Sequence, residues 1–262
     1  ESERKAALGG GGGVLVLPPG VEMFEVKIGE PHRVNILPYR CGKGNLIGHE
    51  GKMYYERTYY THNIDAAGRK VICRQRTFGK NCPVCELNEK MRDEPGVKNE
   101  DMNWPSQRMV LNLEKSPGSG VVQVMNISNH CFGKALSKRA GQPGKPEYKQ
   151  FWRPDKKGFV IEFVPDGKKF GKKSRPFPDV SSVDFVKREK DELPPKKALK
   201  GVICLDDCVP CPSYDEVRAA LENTGDEPEK KDKKKKKDKG GKDKPKKGKK
   251  KKKDKDKDDM PF

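Results

Sequence analysis

Residues 53–85 read MYYERTYYTHNIDAAGRKVICRQRTFGKNCPVC. One imidazole and three thiols lie within this stretch: His62, then Cys73, then Cys82 and Cys85 in a Cys-Pro-Val-Cys knuckle. Soft thiolates and an imidazole in this number suit a tetrahedral zinc ion, and four protein ligands leave no open position for a reacting water. A closed site of this kind stabilises a fold and does not catalyse. It would staple a segment of about 25 residues that buries too little apolar surface to fold alone. The expectation is a zinc subdomain over about residues 60–95, with His62, Cys73, Cys82 and Cys85 around one structural Zn²⁺. A thiol–disulfide exchange role for Cys82 and Cys85 lacks the surrounding βαβ pattern that such chemistry uses.

Aromatic and basic residues interleave around the four ligands: Tyr54, Tyr55, Arg57, Tyr59, Tyr60, then Arg69, Lys70, Arg74, Arg76, Phe78 and Lys80. A groove for single-stranded nucleic acid needs this mixture, because aromatic faces stack on unpaired bases while Arg and Lys follow the phosphates. Side chains alternate along a strand, so one member of each pair, Tyr54/Tyr55 and Tyr59/Tyr60, is expected to point inward. A second patch holds Tyr148, Lys149, Phe151, Trp152, Arg153, Lys156 and Lys157, and Trp104 and Arg108 lie between the two.

Further out, short apolar runs bounded by Gly and Pro read as strands at residues 23–28, 33–37, 53–60, 107–113, 121–127 and 159–164. Residues 115–120, Lys-Ser-Pro-Gly-Ser-Gly, read as a hairpin turn. Helical signals are weaker, at residues 85–92, 132–139 and 213–222, where Ser213 and Glu216 have capping-box spacing. The fold class is mainly β with peripheral helices (α+β), as a small barrel or sandwich. Residues 1–13 form a charged arm with a run of glycines, residues 14–225 the core, and residues 226–262 a Lys/Asp-rich tail expected to be disordered.

The chain of 262 residues carries a formal charge of +18. The tail, with 19 Lys against 10 acidic residues, supplies half of that charge, so the body is basic as well. A basic body points to a polyanionic partner. No phosphate-binding loop, His-Glu-x-x-His or Gly-x-Ser-x-Gly pattern is present, and the expectation is a binding protein that is not an enzyme. There is no long apolar run and no secretion signal, so no membrane association is expected and the chain reads as soluble and intracellular. Cys204, Cys208 and Cys211 also have spacing that approaches a metal site, with Cys41, His130 or Cys131 as a fourth ligand. The alternative, that they are small buried or idle thiols, has the better support.

The order of a basic β-rich body, His62, Cys73, Cys82-Pro-Val-Cys85 and a strand pair near residues 107–127 resembles the T4-type bacteriophage single-stranded DNA-binding (helix-destabilising) proteins. The likeness is strongest over residues 33–164. It implies an OB-type barrel with an inserted zinc subdomain, the same four zinc ligands, and DNA held in the cleft between the two. It further implies sequence-independent coating of single strands in replication, recombination and repair, in a host cytoplasm if the source is a phage. Arg4 and Lys5 would support cooperative self-association on DNA. The end of the chain, with Asp258, Asp259, Pro261 and Phe262, is similar to the acidic, Phe-ending tip by which bacterial single-stranded DNA-binding proteins recruit replication and recombination partners. The rival reading is a zinc-containing RNA-binding or transcription-associated interaction module.

Overall fold

The computed structural model describes residues 14–45, 47–65, 68–169 and 176–223. Residues 1–13 with Arg4 and Lys5, and residues 226–262 with the Asp258, Asp259, Pro261 and Phe262 tip, lie outside the described residues. In chain order the strands are β1 (Glu22–Met23), β2 (His32–Leu37), β3 (Tyr39–Arg40), β4 (Met53–Tyr54), β5 (Glu56–Asn63), β6 (Lys70–Ile72), β7 (Ser106–Glu114), β8 (Val122–Ser128), β9 (Phe159–Phe163), β10 (Asp166–Lys168), β11 (Phe177–Asp179) and β12 (Asp184–Lys187). Eight of them form one mostly antiparallel sheet that does not close, in the order β1-β8-β7-β2-β9-β12 with β5 and β6 branching from β7. The architecture is thus mixed α+β.

The branch at β7 organises the molecule. One edge of β7 pairs with β8 from Arg108 to Glu114. The other edge pairs with β5 from Ser106 to Leu111 and with β2 from Asn112 to Glu114. The sheet divides there: β5 and β6 lead to the Cys/His cluster, while β2 leads through β9 to β12.

Alternation along β7 feeds two cores. Met109, Leu111 and Leu113 pack on one face with Val34, Ile36, Phe132, Phe151, Phe159, Ile161, Phe163 and Phe185. Val110 faces the other way, among Tyr39, Tyr59, Ile72, Val124, Leu205 and Val209. Covering both faces buries the polar members of the second face, and buried polar groups must find partners. Asn112 exchanges hydrogen bonds with the backbone of Ile203. Glu114 accepts from Asn35 Nδ2 at 2.8 Å and from the Gly120 amide at 2.7 Å.

Several expected elements are redrawn. Of the strand expected at 23–28 only Met23 joins the sheet, in β1 with Glu22, because the Lys27 amide bonds to His32 Nε2 and the Gly29 amide to the Pro165 carbonyl. The strand expected at 53–60 splits into β4 and β5 on either side of Tyr55. The hairpin turn after β7 forms, closed by the Lys115 amide on the Val121 carbonyl at 3.1 Å. Ser213 caps the Tyr214–Glu222 helix in a reciprocal capping box with Glu216. Among the described residues no helix is long and apolar enough to cross a membrane.

Candidate metal centre and aromatic surface

Three local structures deliver the four ligands. His62 sits near the end of β5, opposite Val71 of β6. Cys73 follows β6 directly and caps the short helix Arg74–Phe78, its sulfur accepting the Arg76 amide at 3.3 Å. Gly79 ends that helix in the left-handed region (φ 67°), which a residue with a Cβ rarely adopts, and the chain returns to Cys82. Pro83 then opens the knuckle helix Pro83–Arg92 at its favoured first position, which turns Cys85 back toward Cys82.

The ligand atoms of His62, Cys73, Cys82 and Cys85 all lie within 4.8 Å of one another, and His62, Cys73 and Cys82 are buried. Cys73 Sγ is 3.5 Å from Cys85 Sγ, and His62 Nε2 is 3.4 Å from Cys85 Sγ and 3.7 Å from Cys82 Sγ. With metal–sulfur bonds of about 2.3 Å and metal–nitrogen bonds of about 2.0–2.1 Å, the edges of a tetrahedron are roughly 3.5–3.8 Å. The spacing therefore fits one structural metal ion. The ligands also perturb one another. Hydrogen bonding with Cys73 and Cys85 holds Cys82 far below the ordinary thiol range. Burial works to lower His62, but hydrogen bonding to Cys73 and Cys82 outweighs it and raises the imidazole to about 9.

An outer layer of hydrogen bonds fixes the imidazole. The Asn103 carbonyl accepts from His62 Nδ1 at 2.7 Å, which leaves Nε2 to face the sulfurs. Asn103 is held in turn by Asn88, whose Nδ2 donates to the Asn103 carbonyl at 2.8 Å and whose Oδ1 accepts the Asn103 amide at 3.0 Å. The Asn103 side chain grips the backbone of Asn63 on both sides. Sequence reading passed over Asn88 and Asn103, since an isolated Asn carries no signal of its partner. The Tyr214–Glu222 helix closes the lobe: Val217 is buried against Cys73, Cys82 and Cys85, and Tyr214 donates to Glu86 at 2.6 Å.

The second cysteine group forms no comparable cage. Among the described residues only the His62 group brings ligand atoms together. Cys41 and Cys208 are buried, Cys204 is half-buried and Cys211 exposed, which matches the small-thiol alternative.

The basic and aromatic residues separate into two sets. Arg57 and Tyr59 are in the core and not on a groove. Arg57 is 2% exposed and pairs with buried Asp206 at 3.0 Å, while the ring of Tyr59 is fully enclosed and its hydroxyl donates to Asn126. Arg69 is engaged by Asp65, Arg74 lies over the Tyr214 ring, and half-buried Phe78 packs against the second core beneath Arg57. Tyr60 is half-buried against the metal lobe. Lys70, Arg76 and Lys80 are exposed. Trp104 is 44% exposed with Arg92 over its ring, and Arg108 is steadied by Asn126 at 3.0 Å.

The two aromatic patches meet. The Tyr54 and Tyr55 rings are 4.8 Å apart, and Tyr55 stacks on Trp152 at 6.4 Å with an interplanar angle of 22°. All three are half-buried. Arg153, paired with Asp155 at 2.5 Å, adjoins this row, followed by exposed Lys156 and Lys157. Tyr148 packs edge-on against Phe159 and Phe185, beneath Arg139.

Fold and site together define an α+β protein with a His/Cys cluster that fits one metal ion, and with basic and aromatic residues on its surface. Compared with known proteins, the chain matches no protein-family model and aligns with no curated protein.

Proposed function

We propose that this chain is a sequence-independent single-stranded DNA-binding protein of the T4-type helix-destabilising kind, and that it coats and protects melted DNA during replication, recombination and repair. The observation that carries the reading is the row Tyr54, Tyr55 and Trp152, assembled from segments far apart in sequence, rooted on the main core through Tyr55 and Trp152, partly exposed and followed by Arg153, Lys156 and Lys157. Unpaired bases stack on such faces at about 1–3 kcal/mol each, and every base has a face to offer, so affinity comes without sequence preference. Lys70, Arg76, Lys80 and Arg108 extend the cationic surface, and Trp104 offers a second face beside Arg92. Duplex hides its base faces and is bound less well, so strand separation follows from mass action.

In this reading the sheet, which does not close, corresponds to a partly open barrel of the OB type in which β2 passes from β7 to β9, with the zinc subdomain inserted between β5 and β7. Three thiolates and one imidazole favour zinc over the harder cations, and its role is to hold the lobe together. The protein acts by binding and not by catalysis. Partners would be single-stranded DNA, further copies of the chain through the arm carrying Arg4 and Lys5, and replication or recombination proteins through Asp258, Asp259, Pro261 and Phe262.

Fluorescence titration with oligo(dT) and a matched duplex, at several salt concentrations, tests the reading. Strong preference for the single strand with a steep loss of affinity on adding salt is the expected result. Equal affinity for duplex, or preference for an RNA strand of equal length, would overturn it and favour the RNA-binding or transcription-associated module.

A further inference from the structure

Residues 151–159 form the loop that carries Trp152 and Arg153, and it is pinned at its base by a side chain from a distant element. Arg188, just past β12, is almost fully buried. Its Nη2 donates to the Phe159 carbonyl at 3.0 Å, and its Nη1 donates to the carbonyls of Arg153 and Asp155. Nε donates to Asn35 Oδ1 at 2.7 Å, and the same Asn35 donates to Glu114 and to the Glu192 carbonyl. One planar fork thus ties three carbonyls of the loop to the polar line between β2 and β7. Buried carbonyls need donors, and a guanidinium supplies several in fixed directions where an ammonium cannot.

Gly158 fits the same socket. A Cβ there would overlap the Arg153 carbonyl and the Arg188 guanidinium, so any side chain must push the loop off its anchor. The loop's other hydrogen bonds are local: the Gly158 amide on the Asp155 carbonyl, the Phe159 amide on the Phe151 carbonyl, the Arg153 amide on the Gln150 carbonyl, and the Lys157 amide and Arg153 guanidinium on the Asp155 carboxylate.

We infer that Arg188, with Gly158, is a positioning element for base stacking: it sets the height and tilt of Trp152 against Tyr55 without touching the nucleic acid. The inference rests on the single-strand reading for its consequence in binding, but the placement of Trp152 can be read without any ligand. The chain has two tryptophans, so Trp104→Phe leaves Trp152 as its only indole. In that background Arg188→Gln, Arg188→Lys and Gly158→Ala are compared with Val124→Ala, a core truncation on the other face of the sheet.

For the three socket variants the Trp152 emission shifts to the red and acrylamide quenching rises about twofold. Oligo(dT) affinity falls roughly tenfold, the scale of one lost stacked base. Val124→Ala leaves the emission and quenching of Trp152 unchanged whatever its loss of melting temperature. Arg188→Lys does not rescue, because the fork and not the charge is required. Trp152 signals that are the same in the socket variants and in Val124→Ala would overturn the inference. So would full rescue by lysine. Failure of the parent chain to bind oligo(dT) would instead sink the single-strand reading, with the emission data still deciding whether Arg188 sets the loop.

Discussion

The metal lobe and the main core hang on the same strand, yet different forces hold them. The main core packs Phe132, Phe151, Phe159, Phe163 and Phe185 against Leu111, Leu113 and Met125, and aromatic burial on that scale sustains a domain without help. Around the four candidate ligands the buried apolar residues are Ile64, Val71, Val84 and Val217, and the one ring packed against them, Tyr60, is only half-buried. Such a cluster cannot offset the ordering of two short helices and their loops. A metal ion in the cage, whose spacing fits one, would supply the difference. With an ion bound there, stability in this molecule would be split between a region that burial holds and a region that coordination holds.

The largest expected effect separates the two. Metal removal by a strong chelator, or Cys82→Ser, should cost the lobe on the order of 10 kcal/mol of coupled binding and folding energy. Hydrogen exchange should then show lost protection over residues 60–105 and in the Tyr214–Glu222 helix, with β2, β8 and β9 still protected. Uniform loss across the sheet would break the comparison, because it would make the metal a support for the whole fold. The converse is Phe132→Ala. It removes a fully buried ring from the main core and should cost about 3–5 kcal/mol in melting experiments, while bound metal stays at one equivalent until the chain unfolds.

What sequence reading recovered follows the same divide. The cage was legible because its ligands fall within one short stretch and their spacing states their chemistry. The strand cores at residues 33–37, 107–113 and 159–164 were legible from apolar runs. The open sheet was not, since it depends on β7 changing partner from β5 to β2 midway, and no local pattern encodes that. Arg57 reads as a phosphate ligand among its basic neighbours. Its partner Asp206 lies in a distant segment, and only the tertiary fold reveals a buried pair. Asn103 was missed for the same reason, and β12 because its ends, Asp184 and Lys187, are charged.

Strand β5 joins the two regions, and pH should act on its ends in opposite directions. At one end burial raises the Glu56 carboxyl from 4.5 to about 7, against weaker opposing hydrogen bonds from Tyr55 and Thr58. A folded value above the unfolded one means that the fold favours the neutral acid. The stabilising contribution is complete below about pH 4.5 and is lost as pH rises through about 7. Glu56→Gln should therefore gain stability relative to the parent above pH 7, on the order of 2 kcal/mol, with the difference vanishing near pH 4. At the other end, acid protonates thiolates and imidazole and so expels the metal. Denaturant melts from pH 4 to 9 would show the two trends crossing. A Glu56→Gln gain that did not depend on pH would remove Glu56 from this account.

The smallest effect tests how the metal lobe keeps its ion. Asn88 touches no ligand, yet it grips both backbone polar groups of Asn103, whose carbonyl orients His62. Loss of that grip lets the Asn103 carbonyl drift and the imidazole turn, but leaves all four ligands in place. Asn88→Ala should accordingly weaken metal affinity by about 10- to 100-fold, measured by competition with a chromophoric chelator. Asn88→Asp restores the acceptor for the Asn103 amide but loses the donor to its carbonyl, so it should fall between Ala and the parent. Main-core melting of the metal-loaded protein should not change in either variant. If Asn88→Ala lowered core stability and left metal affinity intact, the outer hydrogen bonds would belong to the burial-held region, and the boundary between the two would have to be drawn closer to His62.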